Sequence, residues 1–198
     1  MQILAIFGSP RRGGNTERLL EAFLEGACTG ATSCRRLVVT DQGIGPCTGC
    51  QACDADGACV LDDGMKPVYE WIDEADLVVL ASPIYFYGIT AQAKALIDRS
   101  QALWARKHRL GIRASVAKSG FLIAAGGSRG KKLFECAELT MRYFCDAIDA
   151  RYLGSLTFRS IDGLGDIEGH PEYMDEARES GRRLAAEVGG RTKGDPTT

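Results

Sequence analysis

Four of the chain's eight cysteines, Cys47, Cys50, Cys53 and Cys59, share one short stretch with the spacing C-x2-C-x2-C-x5-C. Gly49 and Gly57 allow the backbone between them to curl. A loop with four inward thiolates is a cage of soft ligands, suited to an iron–sulfur cluster or to zinc. The first three cysteines keep the spacing of bacterial [4Fe–4S] loops. The fourth departs from it, arriving after five residues with Val60 where proline is usual. No second set of this spacing occurs, so Cys59 is expected to close the same cluster. The expectation is one [4Fe–4S] cluster on Cys47, Cys50, Cys53 and Cys59. Structural zinc and two local disulfides remain as alternatives.

A second stretch with chemistry is Gly8-Ser-Pro-Arg-Arg-Gly-Gly-Asn-Thr16. The short apolar run Ile3–Phe7 precedes it, and a helical pattern with Leu19, Leu20, Phe23, Leu24 and Ala27 on one face follows from about Asn15. Strand, Gly- and hydroxyl-rich loop, then helix is a way to seat a phosphate on a helix N-terminus. Ser9 and Thr16 supply hydroxyls, Arg11 or Arg12 supplies positive charge, and Asn15 is the expected N-cap. The loop is neither a Walker A nor G-x-G-x-x-G, since no lysine follows Gly13-Gly14. A single phosphate ester fits it best; a merely tight turn is the bland alternative.

The third stretch is Ser82-Pro-Ile-Tyr-Phe-Tyr-Gly88, just past the apolar run Leu77–Ala81. Apolar and aromatic side chains there suit a flat ring, with backbone groups for its polar edge. A hydrophobic plug or subunit contact is the plain alternative. A fourth, Gly126-Gly-Ser-Arg-Gly130, follows the run Gly120–Ala125.

These loops need elements to hold them. The periodicity gives five strands: Ile3–Phe7, Cys34–Val39, Leu77–Ala81, Gly120–Ala125 and Tyr152–Phe158. Helical stripes alternate with them. One runs to about Glu74, with Val68, Trp71, Ile72 and Ala75, after a cap at Asp62-Asp63-Gly64. One runs from about Thr90 through Ala93, Leu96, Ile97, Ser100 and Leu103. Another carries Phe134, Ala137, Met141, Cys145 and Ile148, and the last Met174, Ala177, Leu184 and Val188. Lys107–Ala117 reads as an exposed basic connection. Alternation implies parallel crossovers and a three-layer α/β sandwich. In a five-stranded parallel sheet of order 2-1-3-4-5, the loops after strands one, three and four converge at the switch point.

Length and composition set the outer bounds. At 198 residues and 45% apolar, the chain can fill the core of one domain, expected over 1–190 with the cysteine loop 47–59 inserted and a polar tail at 191–198. A net charge of −2 gives no electrostatic case for nucleic acid or an anionic membrane. No apolar run reaches the length of a membrane span, and the first residues lack a basic leader. Eight cysteines without an export signal point to a reducing cytoplasm. Cys28, Cys34 and Cys145 read as structural, and His170, before Pro171, as surface.

Together the Gly8–Thr16 loop, the Ser82–Gly88 loop and the four-cysteine stretch resemble the iron–sulfur flavoproteins, within the flavodoxin-like NAD(P)H-dependent FMN reductases. The resemblance covers the chain to about residue 160. It implies that Ser9, Arg11, Asn15 and Thr16 hold the FMN phosphate. Pro83, Ile84, Tyr85 and Phe86 would line the isoalloxazine, and Gly126 and Gly127 would approach its pyrimidine end. Cys47, Cys50, Cys53 and Cys59 would ligate [4Fe–4S]. It further implies a homodimer or homotetramer working with small redox partners: NAD(P)H, ferredoxin, a quinone or an oxygen species. A cluster passes single electrons and a flavin passes one electron or a hydride, so the pair would couple the two kinds of transfer. The alternatives are a plain NAD(P)H-dependent FMN or quinone reductase whose cysteine loop is structural, and a non-enzymatic electron carrier.

Overall fold

A computed structural model describes residues 1–190. The expected tail, 191–198, lies outside the described residues. The elements run β1 (Gln2–Phe7), α1 (Asn15–Ala27), β2 (Ser33–Val38), α2 (Cys53–Asp56), α3 (Lys66–Glu74), β3 (Leu77–Pro83), α4 (Ala91–Arg99), α5 (Gln101–His108), β4 (Lys118–Gly126), α6 (Glu135–Ala147), β5 (Ala150–Arg159) and α7 (Pro171–Gly189).

The strands form one parallel sheet of order β2-β1-β3-β4-β5, the expected flavodoxin-like arrangement. Because strand side chains alternate in direction, each strand feeds two cores. Leu4, Ile6, Val78, Leu80 and Leu122 face a cluster with α3, α4, α5 and α6. Ile3, Ala5, Leu77, Val79 and Phe121 face a second cluster with α1 and α7. All nine residues of β4 are buried, so a continuous apolar strand here is a central one. Helices α1 and α7 meet backbone to backbone: a Cβ added to Gly26 would strike the Arg178 backbone, and one on Gly181 the Phe23 backbone.

Three local expectations change. The helix expected to run unbroken from Thr90 past Leu103 is two helices, parted at buried Ser100, whose hydroxyl bonds back to the Leu96 carbonyl at 3.2 Å. The basic connection begins later than expected, because α5 continues through His108, with Lys107 paired to Asp146 at 2.8 Å. Cys28 and Cys34 are joined by a disulfide across the turn between α1 and β2, with Cα atoms 6.3 Å apart. No helix among the described residues is long and apolar enough to cross a membrane.

Candidate active site

The register brings the carboxyl ends of β1, β3 and β4 level, with Phe7 opposite Ala81 and Pro83 opposite Ala125. Their loops therefore open on one edge of the sheet. Gly8 is pinned there because its N–H donates to the Ala81 carbonyl at 2.8 Å, and an added Cβ would lie 2.9 Å from that oxygen. Thr90 caps α4 by accepting from Ala93 N–H at 3.1 Å, and its hydroxyl donates to the Gly8 carbonyl.

Beyond Gly8 the chain turns through Gly13 at φ 64° into α1. The N-cap is Gly14, not Asn15, and no side chain caps the helix. The first N–H groups of α1 thus have no intrahelical partner, which is the helix-end condition for holding an anion. Ser9 Oγ accepts from Arg11 N–H at 3.1 Å and stiffens the loop. Of the two arginines, Arg11 lines the cleft, while Arg12 is drawn away into an exposed ion pair with Asp41.

The cleft is about 470 Å³, open to solvent. One wall is polar: Ser9, Arg11, Gly14, Asn15 and Thr16. The other is largely apolar: Pro83, Ile84, Tyr85, Ala125, Gly126 and Gly127. Its mixed lining is that of a small-molecule site. Nine of the residues expected here from sequence meet in it. Phe86 does not; it stands fully exposed. Phe86 and Tyr87, at φ 48° and 65°, form the tip of a two-residue turn closed by paired Tyr85–Gly88 backbone bonds of 2.9 Å.

Sequence reasoning missed a third wall. Ile161, Asp162 and Leu164, in the loop after β5, also line the cleft. Asn15 ties this loop down, donating from Nδ2 to the Gly163 carbonyl at 2.8 Å and accepting at Oδ1 from Ile167 N–H at 3.2 Å. The signal was available: this loop leaves the same sheet edge and carries three glycines, Gly163, Gly165 and Gly169.

The cysteine stretch lies elsewhere, between β2 and α3. Gln51 at φ 61° joins Gly49 and Gly57 in curling it, and one turn of helix, α2, starts at Cys53. The four cysteines line a pocket of about 330 Å³ with Arg99, Gln101 and Ala102. Yet among the described residues no group of three or more His, Cys, Asp or Glu side chains is placed to hold a metal ion. Cys47 and Cys50 are exposed, whereas Cys53 and Cys59 pack half-buried against the core. The four thiols border one pocket, two of them exposed and two half-buried, without forming a set placed to hold an ion. The expected [4Fe–4S] cluster is therefore withdrawn, and with it the iron–sulfur and metal-binding reading and the coupling of a cluster to flavin. Zinc on the same residues falls by the same finding.

What anchors this region is Arg99, whose side chain is 0% exposed. Its Nη1 donates to Asp63 at 2.6 Å and to the Gly45 carbonyl at 3.1 Å, and Tyr69 OH donates to the Arg99 carbonyl at 2.8 Å. Arg99 Nε and Nη2 are buried without a hydrogen-bond partner. Burial pushes the Asp63 carboxyl up, but the Arg99 guanidinium and the Met65 and Gly45 amides outweigh it and hold it below the usual carboxylate range. Burial likewise works against the Cys59 thiolate, yet the Leu61 amide, Tyr69 and Arg99 bring that thiol below its ordinary value. Cys53 moves the other way, raised by burial and by nearby Asp54.

Known proteins match this chain in sequence and in fold. The family model described as NADPH-dependent FMN reductase matches residues 1–158. A protein named iron-sulfur flavoprotein from Methanosarcina thermophila is 36% identical over 129 residues, 65% of this chain and 65% of that one. The chain thus spans just under two thirds of that relative's length. Another of that name, from Archaeoglobus fulgidus, is 30% identical over 190 residues, 92% of this chain and 95% of that one. Among solved structures, the NAD(P)H:quinone oxidoreductase from Methanothermobacter marburgensis superposes with TM-score 0.73 at 17% identity, covering 93% of this chain and 98% of that one. At such identity the likeness speaks for the fold alone. The chain belongs to the flavodoxin-like, NADPH-dependent FMN reductase family, in the group whose members include proteins named iron-sulfur flavoproteins.

Proposed function

We propose that residues 1–190 act as one FMN-binding unit and that the protein is an NAD(P)H-dependent flavin or quinone reductase whose cysteine loop is structural. The observation that carries this is the cleft itself, where the unsatisfied start of α1 faces an apolar, ring-sized wall. Ser9, Arg11 and Thr16 would hold the phosphate. Pro83, Ile84 and Tyr85, with Gly126 and Gly127, would take the ring, and Asn15 would serve by fastening the loop after β5. Bound FMN supplies hydride and single-electron chemistry. The chain's own contribution is to bind, orient and shield: the phosphate loop fixes one end, and the apolar wall leaves one ring face open to a nicotinamide or quinone. Tyr85 and Tyr87, with Phe86 between them, stand partly or fully exposed beside the cleft, which favours a second subunit covering it in a homodimer or homotetramer. Six of the eight cysteines are free thiols, in keeping with a cytoplasmic protein.

Fluorescence quenching by FMN and by riboflavin tests the phosphate assignment. FMN should bind far more tightly, and equal affinities would remove it. Anaerobic turnover of NADPH or NADH with a quinone or free flavin tests the activity. Failure with both nicotinamides, alongside fast exchange with ferredoxin, would make the protein an electron carrier instead.

A further inference from the structure

The loop after β5 is built more firmly than a connection requires. Ile161 is buried and its N–H donates to the Gly126 carbonyl at 3.3 Å. Arg11 Nη1 donates to the Asp162 carbonyl at 3.3 Å. Asp162 and Gly163 N–H both donate to Asp166 Oδ2, at 3.0 and 2.6 Å. Those two amides hold the Asp166 carboxyl below its usual range. With the two Asn15 bonds, every residue from Ile161 to Gly163 is tethered through its backbone to another part of the site.

This scaffolding aims one side chain. Asp162 lines the cleft beside Gly127, and its Cβ and Cγ come so close that a Cβ on Gly127 would lie 2.8 and 2.9 Å from them. No hydrogen bond or ion pair engages its carboxylate among the described residues. The backbone of this loop is tied to Arg11 and Asn15 on the polar wall, while the Asp162 side chain packs against Gly127, which the FMN reading gives to the ring, so the carboxylate stands at the ring's Gly127 end. A carboxylate can only accept. The hydrocarbon edge of an isoalloxazine offers it nothing, whereas the pyrimidine edge offers an N–H.

We infer that Asp162 is a positioning residue of the flavin, accepting from the pyrimidine N–H of the bound ring and disfavouring its reduced, more electron-rich form. The inference rests on the FMN reading above. Its physical basis is that a fixed negative charge a few ångströms from a ring gaining electrons opposes that gain, more strongly once the ring excludes water. The function of the strap made by Asn15, Arg11 and Asp166 is then to keep that charge in place.

The test uses the full chain reconstituted with FMN. Asp162→Asn keeps an acceptor oxygen and removes the charge. Its two-electron midpoint potential should rise by the equivalent of at least a tenfold change in the oxidised-to-reduced ratio, about 30 mV, while FMN affinity changes less than threefold. Glu168→Gln removes a carboxylate from the same strap outside the cleft and should leave the potential where it was. An unchanged potential in Asp162→Asn overturns the inference and leaves the FMN reading standing. Equal shifts in both variants overturn it too, because the effect would then be general charge. A potential that stays put while affinity collapses would place Asp162 on the ribityl hydroxyls, again overturning it. Failure of the unaltered chain to bind FMN overturns the functional reading and this inference together.

Discussion

The cleft at the ends of β1, β3 and β4 and the cysteine pocket were announced by comparably dense motifs, and they differ in what builds them. The cleft is made mainly of backbone: a helix start, glycine turns and strand ends in register. Its chemistry follows once the turns fold. The cysteine pocket depends on where four side chains point, and two of them pack toward the core while two stay exposed. Spacing decides that thiols share a loop. It does not decide that they form a set placed to hold a metal. The buried charge beside them, Arg99, gives the pocket its rigidity.

The comparison is sharpened most by breaking that charge. Asp63→Ala leaves a fully buried guanidinium without its counter-ion and should cost about 3–5 kcal/mol, read as a lower urea midpoint. FMN stoichiometry of the folded fraction should hold, since neither Asp63 nor Arg99 lines the cleft. The sign with pH follows from the depressed Asp63 carboxyl. Its contribution is present above the unfolded value near 4 and is lost as pH falls through the lower folded value. The stability gap between the unaltered chain and Asp63→Ala should therefore close in acid, and a gap that widened there would refute the assignment.

A smaller effect is expected in the cleft. Thr16→Ala removes one hydroxyl and should weaken FMN by on the order of 1 kcal/mol or more, with the urea midpoint nearly unmoved. A large stability loss with unchanged affinity would make buried Thr16 a core residue and not a ligand.

The smallest effect compares thiols within the cysteine pocket. Alkylation by iodoacetamide, followed by mass spectrometry against pH, should show Cys59 reacting with a lower midpoint than Cys53. Cys145, whose thiol burial pushes up to about 12, should stay unmodified in the folded protein. Coincident profiles for Cys59 and Cys53 would mean that Arg99 does not act on the pocket.

Most of the fold was legible because buried parallel strands are continuous apolar runs and their alternation with helices implies parallel crossovers. Leu77–Pro83 and Lys118–Gly126 are clear cases. The turn from Gly8 into α1 was legible for the same local reason. The break at Ser100 was not, since its apolar stripe continues in phase across two helices. Phe86 reads as a ring contact by residue type, and the left-handed turn that sends it outward carries no glycine at its tip to signal it. The Asp63–Arg99 pair joins residues far apart in sequence, and nothing local marks either one as buried. Asp162 lay in a loop without aromatic or hydroxyl-rich character, visible only by asking which other loops leave that sheet edge.

Helices α1 and α7 touch through Gly26 and Gly181, each under the other's backbone. That contact has a consequence for modularity. The family model ends at residue 158, yet α1, whose first turn lines the cleft, is seated on a helix that begins at Pro171. A version trimmed to the shared region would strip the cover from Leu20, Phe23 and Leu24 and loosen the helix whose first turn faces the cleft. Nor could α7 be exchanged freely for a relative's closing helix. Any donor without a small residue opposite Phe23 would lever α1 off the sheet, so the first and last helices would have to be exchanged as a pair.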